Sequence, residues 1–132
     1  MEIRNETTRE IPRNEWVKFF NGFSKQHSGG QVTLHVIDAD MGAQVEAENL
    51  PLQGISADLK DNEDLIEINV GEPSGSHVEH QVAEPTHVRL KQNAQGADEA
   101  LEIETEGGTM TLLQFRVAAI PEMAGSTVST KG

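Results

Sequence analysis

Cysteine is absent from the chain, so no disulfide framework, thiolate metal site or thiol nucleophile is available to it. Long apolar runs are missing too. No stretch approaches the roughly 20 apolar residues of a membrane-spanning helix, and the opening MEIRNETTRE has no apolar core behind its charges as a secretory leader would. These absences point to a cytoplasmic protein held together by packing. Catalytic signatures are lacking as well: there is no G-x-S-x-G, P-loop, dinucleotide fingerprint or H-E-x-x-H. Basic residues are scarce where charge matters most. Residues 29–116 carry four basic groups against seventeen acidic ones, and residues 1–28 five against four, so the net charge of −12 resides entirely in the second region. Such a surface repels phosphate backbones and anionic lipid, which excludes nucleic acid and membrane as expected partners. It suits solubility, a salt-rich cytoplasm or a basic protein partner.

At 132 residues the chain has the size of one domain. Its first ten residues are polar and without a period, so 1–10 reads as a flexible arm. From Pro12 onward, Trp16, Phe19, Phe20, Phe23 and His27 recur at spacings of three and four, the mark of an amphipathic helix. Asn14 and Glu15 suit its start, and Ser28-Gly29-Gly30 stops it. Beyond Gly30 the period drops to two. Val32, Leu34 and Val36, then Val45 and Ala47, then Ile55 and Ala57, then Ile66, Ile68 and Val70 alternate with polar residues, as half-buried strands do. The alternation returns at Val78, His80 and Val82, at Val88 and Leu90, at Leu101 and Ile103, and from Met110 to Val117.

One helix followed by seven or eight short strands, with no crossover helix, predicts a mostly β (α+β) fold. An antiparallel meander, curled or closed into a partial barrel, packs under the N-terminal helix across a single domain at 11–118. Residues 119–132, rich in Gly, Ser and Thr, read as a disordered tail.

Histidine and carboxylate groups are the remaining source of chemistry. His77, Glu79 and His80 form the densest cluster. On a strand His77 and Glu79 share a face while His80 points the other way, two ligands where a zinc site needs three or four. His80 lies on the apolar face between Val78 and Val82, as a satisfied rim histidine or as the lining of a small ligand site. The pairs Asp38/Asp40, Asp61/Asp64 and Glu102/Glu104 fall in turns or on polar faces and read as solvated charge. The stripe of Trp16, Phe19, Phe20 and Phe23 is first a core face, because the sheet has little other large apolar material to cover it. Its rival role is a partner-binding face.

Ile11-Pro12-Arg13-Asn14-Glu15-Trp16 with Phe19-Phe20 and Phe23-Ser24, Leu50-Pro51-Leu52 with Gly54-Ile55, His80, Val82 and Pro85, and Thr111-Leu112-Leu113-Gln114-Phe115 resemble a family of short bacterial proteins classed as a domain of unknown function. The resemblance spans residues 11–117. It implies a small bacterial cytoplasmic protein and contributes no catalytic residue. Together these readings favour a non-enzymatic accessory or protein-interaction module without a cofactor, monomeric or weakly self-associating. The alternative is a small-ligand or metal-binding protein with its site near His80 at the sheet or barrel mouth.

Overall fold

The computed structural model describes residues 6–60, 63–72 and 74–119. Residues 61 and 62, the first of them in the Asp61/Asp64 pair, residues 1–5 of the arm and residues 120–132 of the tail lie outside them. The element order is β1 (Thr7–Ile11), a 3-10 turn (Arg13–Glu15), α1 (Trp16–His27), β2 (Gln31–Asp38), β3 (Gly42–Asp58), β4 (Leu65–Gly71), β5 (His77–Ala83), β6 (Pro85–Gln92), β7 (Asp98–Thr105) and β8 (Met110–Ala119).

All eight strands join one antiparallel sheet in the order β1-β6-β7-β8-β2-β3-β4-β5. Two meanders, β2 to β5 and β6 to β8, are therefore spliced by the pairing of β8 with β2. The sheet curls but does not close: β1 and β5 are its edges, so the curled form of the expectation holds and the barrel form does not. The bend lies in β3, which pairs with β2 up to Pro51 and with β4 from Leu52. Near that corner Asn49 adopts φ 53°, and its N–H donates to Thr33 Oγ1 at 3.2 Å. The turn brings β5 across the interior, where His80 Nε2 comes within 3.4 Å of Thr111 Oγ1 on β8. At the end of β4, Gly71 has φ 137°, and a Cβ there would run into the Ser76 carbonyl.

The core follows the alternation read from the sequence. Val32, Leu34, Ile66, Ile68, Val70, Leu101, Ile103 and Leu113 are all buried, in one cluster with Trp16, Phe20 and Phe23. Val45 departs from that pattern: it is 54% exposed. The helix is fixed to β3 by polar bonds as well as by packing. Ser24 Oγ donates to the Ile55 carbonyl at 2.9 Å and accepts from the Ile55 N–H at 2.8 Å, on a stretch of β3 beyond Pro51, where its pairing with β2 ends. Past the helix end, the Gly29 N–H donates to Leu52 O and the Leu52 N–H to Gly30 O.

Two local expectations are corrected. Residues 7–10, read as arm, form the edge strand β1 paired with β6. Only Ile11 of this strand is buried, so apolar periodicity could not reveal it. The strand is held by its ladder and by cross-strand charge: Glu10 Oε2 lies 2.6 Å from His87 Nδ1, a bond that holds the Glu10 pKa below its ordinary value, and Lys91 lies 3.6 Å from Glu6. Asn14 does not cap the helix, because the chain enters α1 through the 3-10 turn, closed by Glu15 N–H to Pro12 O.

Arg13 in that turn grips Asp64 with two bonds of 2.7 Å. The hydrogen bonds from Arg13 hold the Asp64 pKa below its ordinary value. A depressed carboxylate contributes stability above its unfolded pKa, near 3.9, and loses it as pH falls through the folded pKa. Arg13→Gln is therefore expected to cost at most about 1 kcal/mol near neutral pH, since the arginine is largely exposed. The difference from the parent should shrink as pH falls below the unfolded value and vanish once Asp64 is protonated in both states, as urea melts across the pH range would record.

Candidate functional site

The helix turns two adjacent stripes toward the sheet. Trp16, Phe20, Phe23 and His27 are buried. Beside them Glu15, Lys18, Phe19, Gly22 and Gln26 recur at spacings of three and four, and they form one wall of a groove of about 650 Å³. The opposite wall is the inner face of the first strands in the sheet order: Arg9 of β1, its cross-strand partner Leu90 and Gln92 of β6, and Asp98 of β7.

Its floor is a buried polar chain. Gln92 Nε2–H donates to Asp98 Oδ1 at 2.8 Å, and Asp98 Oδ2 lies 2.8 Å from His27 Nε2. The two side chains of the His27–Asp98 pair are only 1% and 5% exposed. The imidazole is held between the rings of Phe23 and Phe115, each with its centroid 4.6 Å away. The loop before β7 positions Asp98: Asn93 Oδ1 accepts the N–H groups of Gln95 and Ala97, and the Asn93 N–H donates to Ala97 O. With both oxygens of Asp98 engaged and His27 enclosed by rings, this chain fixes the floor rather than offering an acid or base to a substrate.

The groove mouth differs electrically from the rest of the molecule. Arg9 and Lys18 have no ionic partner among the described residues, and they stand in a chain of net charge −12. Glu15 is the exposed carboxylate of the lining. Phe19 and Leu90 supply the apolar surface between them. Gly22 leaves the wall open, for a Cβ built there meets nothing within 4 Å.

The residues singled out in the sequence lie elsewhere. His77 and Glu79 are exposed on β5. A hydrogen bond and like charge from Glu67 on β4 hold the Glu79 pKa above its ordinary value, which His77 partly offsets. His80 faces inward toward Thr111, and burial holds its pKa down. Among the described residues no group of three or more His, Asp or Glu side chains is arranged to hold a metal. Trp16, Phe20 and Phe23 lie in the core. Of the proposed partner face, the partly buried Phe19 and an edge of the core residue Phe23 line the groove. Arg9, Lys18, Gln92 and Asp98 were not marked by any sequence motif. His27 was marked only as part of the helix stripe.

No solved structure matches the chain. An uncharacterized protein of Aquifex aeolicus (strain VF5) is 34% identical over 116 residues, covering 87% of this chain and 98% of the relative. A family model described as a family of unknown function (DUF5335) matches residues 7–122. With the N-terminal helix and the antiparallel sheet both inside the matched span, the chain belongs to that family.

Proposed function

We propose that the protein is a non-enzymatic binding module whose groove beneath α1 takes a small anionic ligand with an apolar body. The observation that carries this reading is a pair of cations, Arg9 and Lys18, without ionic partners among the described residues, across an apolar wall in an otherwise acidic molecule. Arginine suits a planar carboxylate or a phosphate, and the Phe19–Leu90 surface suits a ring or short alkyl chain. Gly22 supports the same reading. A glycine inside a helix costs about 1 kcal/mol relative to alanine, yet no neighbour requires it here; its evident consequence is an open wall. A cytoplasmic setting is part of the proposal: the chain has no cysteine, and no helix among the described residues is long and apolar enough to cross a membrane.

The test is thermal denaturation with a panel of aryl and short-chain carboxylates and phosphate monoesters. A ligand at ten times its Kd adds about 1.4 kcal/mol to stability, or about 4 to 6 °C in a domain of this size. The shift should disappear in Arg9→Ala/Lys18→Ala. It should also disappear in Gly22→Leu, which fills the groove while melting no lower than the parent. Stabilisation that survives in Gly22→Leu, or a panel without any stabilising member, would remove the groove from consideration.

A further inference from the structure

The outer face of the sheet holds a second surface, independent of the groove. Residues paired directly across antiparallel strands share a face, so the register sets out two rows. One runs Val45, His35, Leu112, Glu102, Arg89 and Glu10; the other runs Ala43, Ile37, Met110, Glu104 and His87. On β1, β6 and β7 these rows are charged and internally paired, with Arg89 lying 3.1 Å from Glu104 and His87 bonded to Glu10. On β8, β2 and β3 they become apolar except for His35. Val45, Ile37 and the nearby hairpin residue Met41 are 54%, 37% and 70% exposed, three of the four large hydrophobic residues that stand most open to water among the described residues.

This apolar strip ends on open backbone. Among the described residues, the half of β3 from Gly42 to Pro51 pairs with β2 alone, because β4 joins only at Leu52. Gly42 to Glu46 are all exposed, as is Glu48. An unpaired edge beside exposed valine and isoleucine is a template for another strand. Its carboxylates decide which strand. A second copy paired antiparallel about Ala47 would set Glu46 of each copy against Glu48 of the other, and like charges opposed on paired strands are destabilising. A strand bearing lysine or arginine meets the same groups with favourable sign.

We infer that the Gly42–Glu48 edge of β3 is a docking site for an extended, basic segment of a protein partner. The partner's alternate side chains are apolar and lie against Val45 and Ile37, and its lysine or arginine residues face Glu46 and Glu48. The surface thus discriminates by two criteria at once, charge and apolar alternation.

The test uses three fluorescent peptides in which lysine alternates with valine, glutamate with valine, and lysine with serine. Fluorescence anisotropy should show binding of the lysine–valine peptide, weakened by salt, and at least tenfold weaker binding of the other two. Hydrogen exchange should slow across residues 42–48 in the complex. Ile37→Ser/Val45→Ser alters only exposed positions and should melt close to the parent, yet lower the affinity about tenfold or more. Glu46→Lys/Glu48→Lys should switch the preference to the glutamate–valine peptide. The proposal fails if the lysine–serine peptide binds equally well, if the serine variant binds like the parent, or if protection falls on β1 or β5. It also fails if the lysine–valine peptide does not bind, or if sedimentation shows the protein associating with itself through this edge.

Discussion

Replacing Trp16 and Phe20 together with alanine will abolish the cooperative melting of the protein. Trp16 is 2% exposed and Phe20 is fully buried, and they supply much of the large apolar surface that the helix brings to the curled sheet. Truncating a buried aromatic residue to alanine costs about 3 to 5 kcal/mol. Two such losses approach or exceed the roughly 5 to 15 kcal/mol that keeps an ordinary domain folded. Trp16 contributes a bond as well: its Nε1–H donates to the Ile11 carbonyl at 2.8 Å, tying the helix start to the end of β1. Circular dichroism melts of the single and double variants check this. Each single variant should retain a transition at lower temperature, and the double variant should have none. A double variant melting sharply within a few degrees of the parent would show that the helix does not seal the interior.

The second large effect is expected at the floor of the groove. Asp98→Ala leaves the buried His27 Nε2 and the Gln92 amide without the acceptor they share. An orphaned buried polar group costs about 1 to 3 kcal/mol, and more when it is charged. A loss of about 3 kcal/mol, on the order of 10 °C in melting temperature, is therefore expected. Because the cost comes from the abandoned partners, replacing both members by apolar groups should recover part of it. His27→Phe/Asp98→Leu should thus melt above Asp98→Ala, and the resulting double-mutant cycle should show coupling beyond 1 kcal/mol, within the range about 0.5 to 3 found for contacting residues. Additive effects at the two positions would mean that the pair is not engaged in solution.

The helix and most strands were legible because each is half buried, and half burial writes its period into the sequence. Ile66, Ile68 and Val70 alternate with polar residues and are all buried in β4; Trp16, Phe20, Phe23 and His27 do the same at helical spacing. β1 left no such trace, since four of its five residues are exposed and its hold on β6 is backbone and charge. The splice of β8 to β2 and the open edges were equally silent, for register is a relation between segments that local alternation does not encode.

The groove was legible only in part. His27 on the apolar stripe of the helix announced a buried imidazole, and a buried imidazole needs a partner. That partner, Asp98, lies 71 positions along the chain, at the end of a loop where an aspartate looks like any solvated turn residue. Arg9 and Lys18 become neighbours of one cavity only once β1 has docked beside β6. The excess of basic charge in the first 28 residues was the one sequence signal pointing toward them. His77 and His80, prominent as letters, are separated by the pleat of β5, which turns one outward and the other inward.

In the proposed function, α1 and the strands β1, β6 and β7 enclose a site for an anion with an apolar body. Titrating the isotope-labelled protein with phenylacetate and phenyl phosphate, while following backbone amide shifts, tests it most directly. Saturable changes confined to Arg9, Lys18, Phe19, Gly22, Gln92 and their neighbours, absent from Gly22→Leu, are the predicted result. Unchanged spectra with both compounds, or changes centred on His80 and β5, would contradict it.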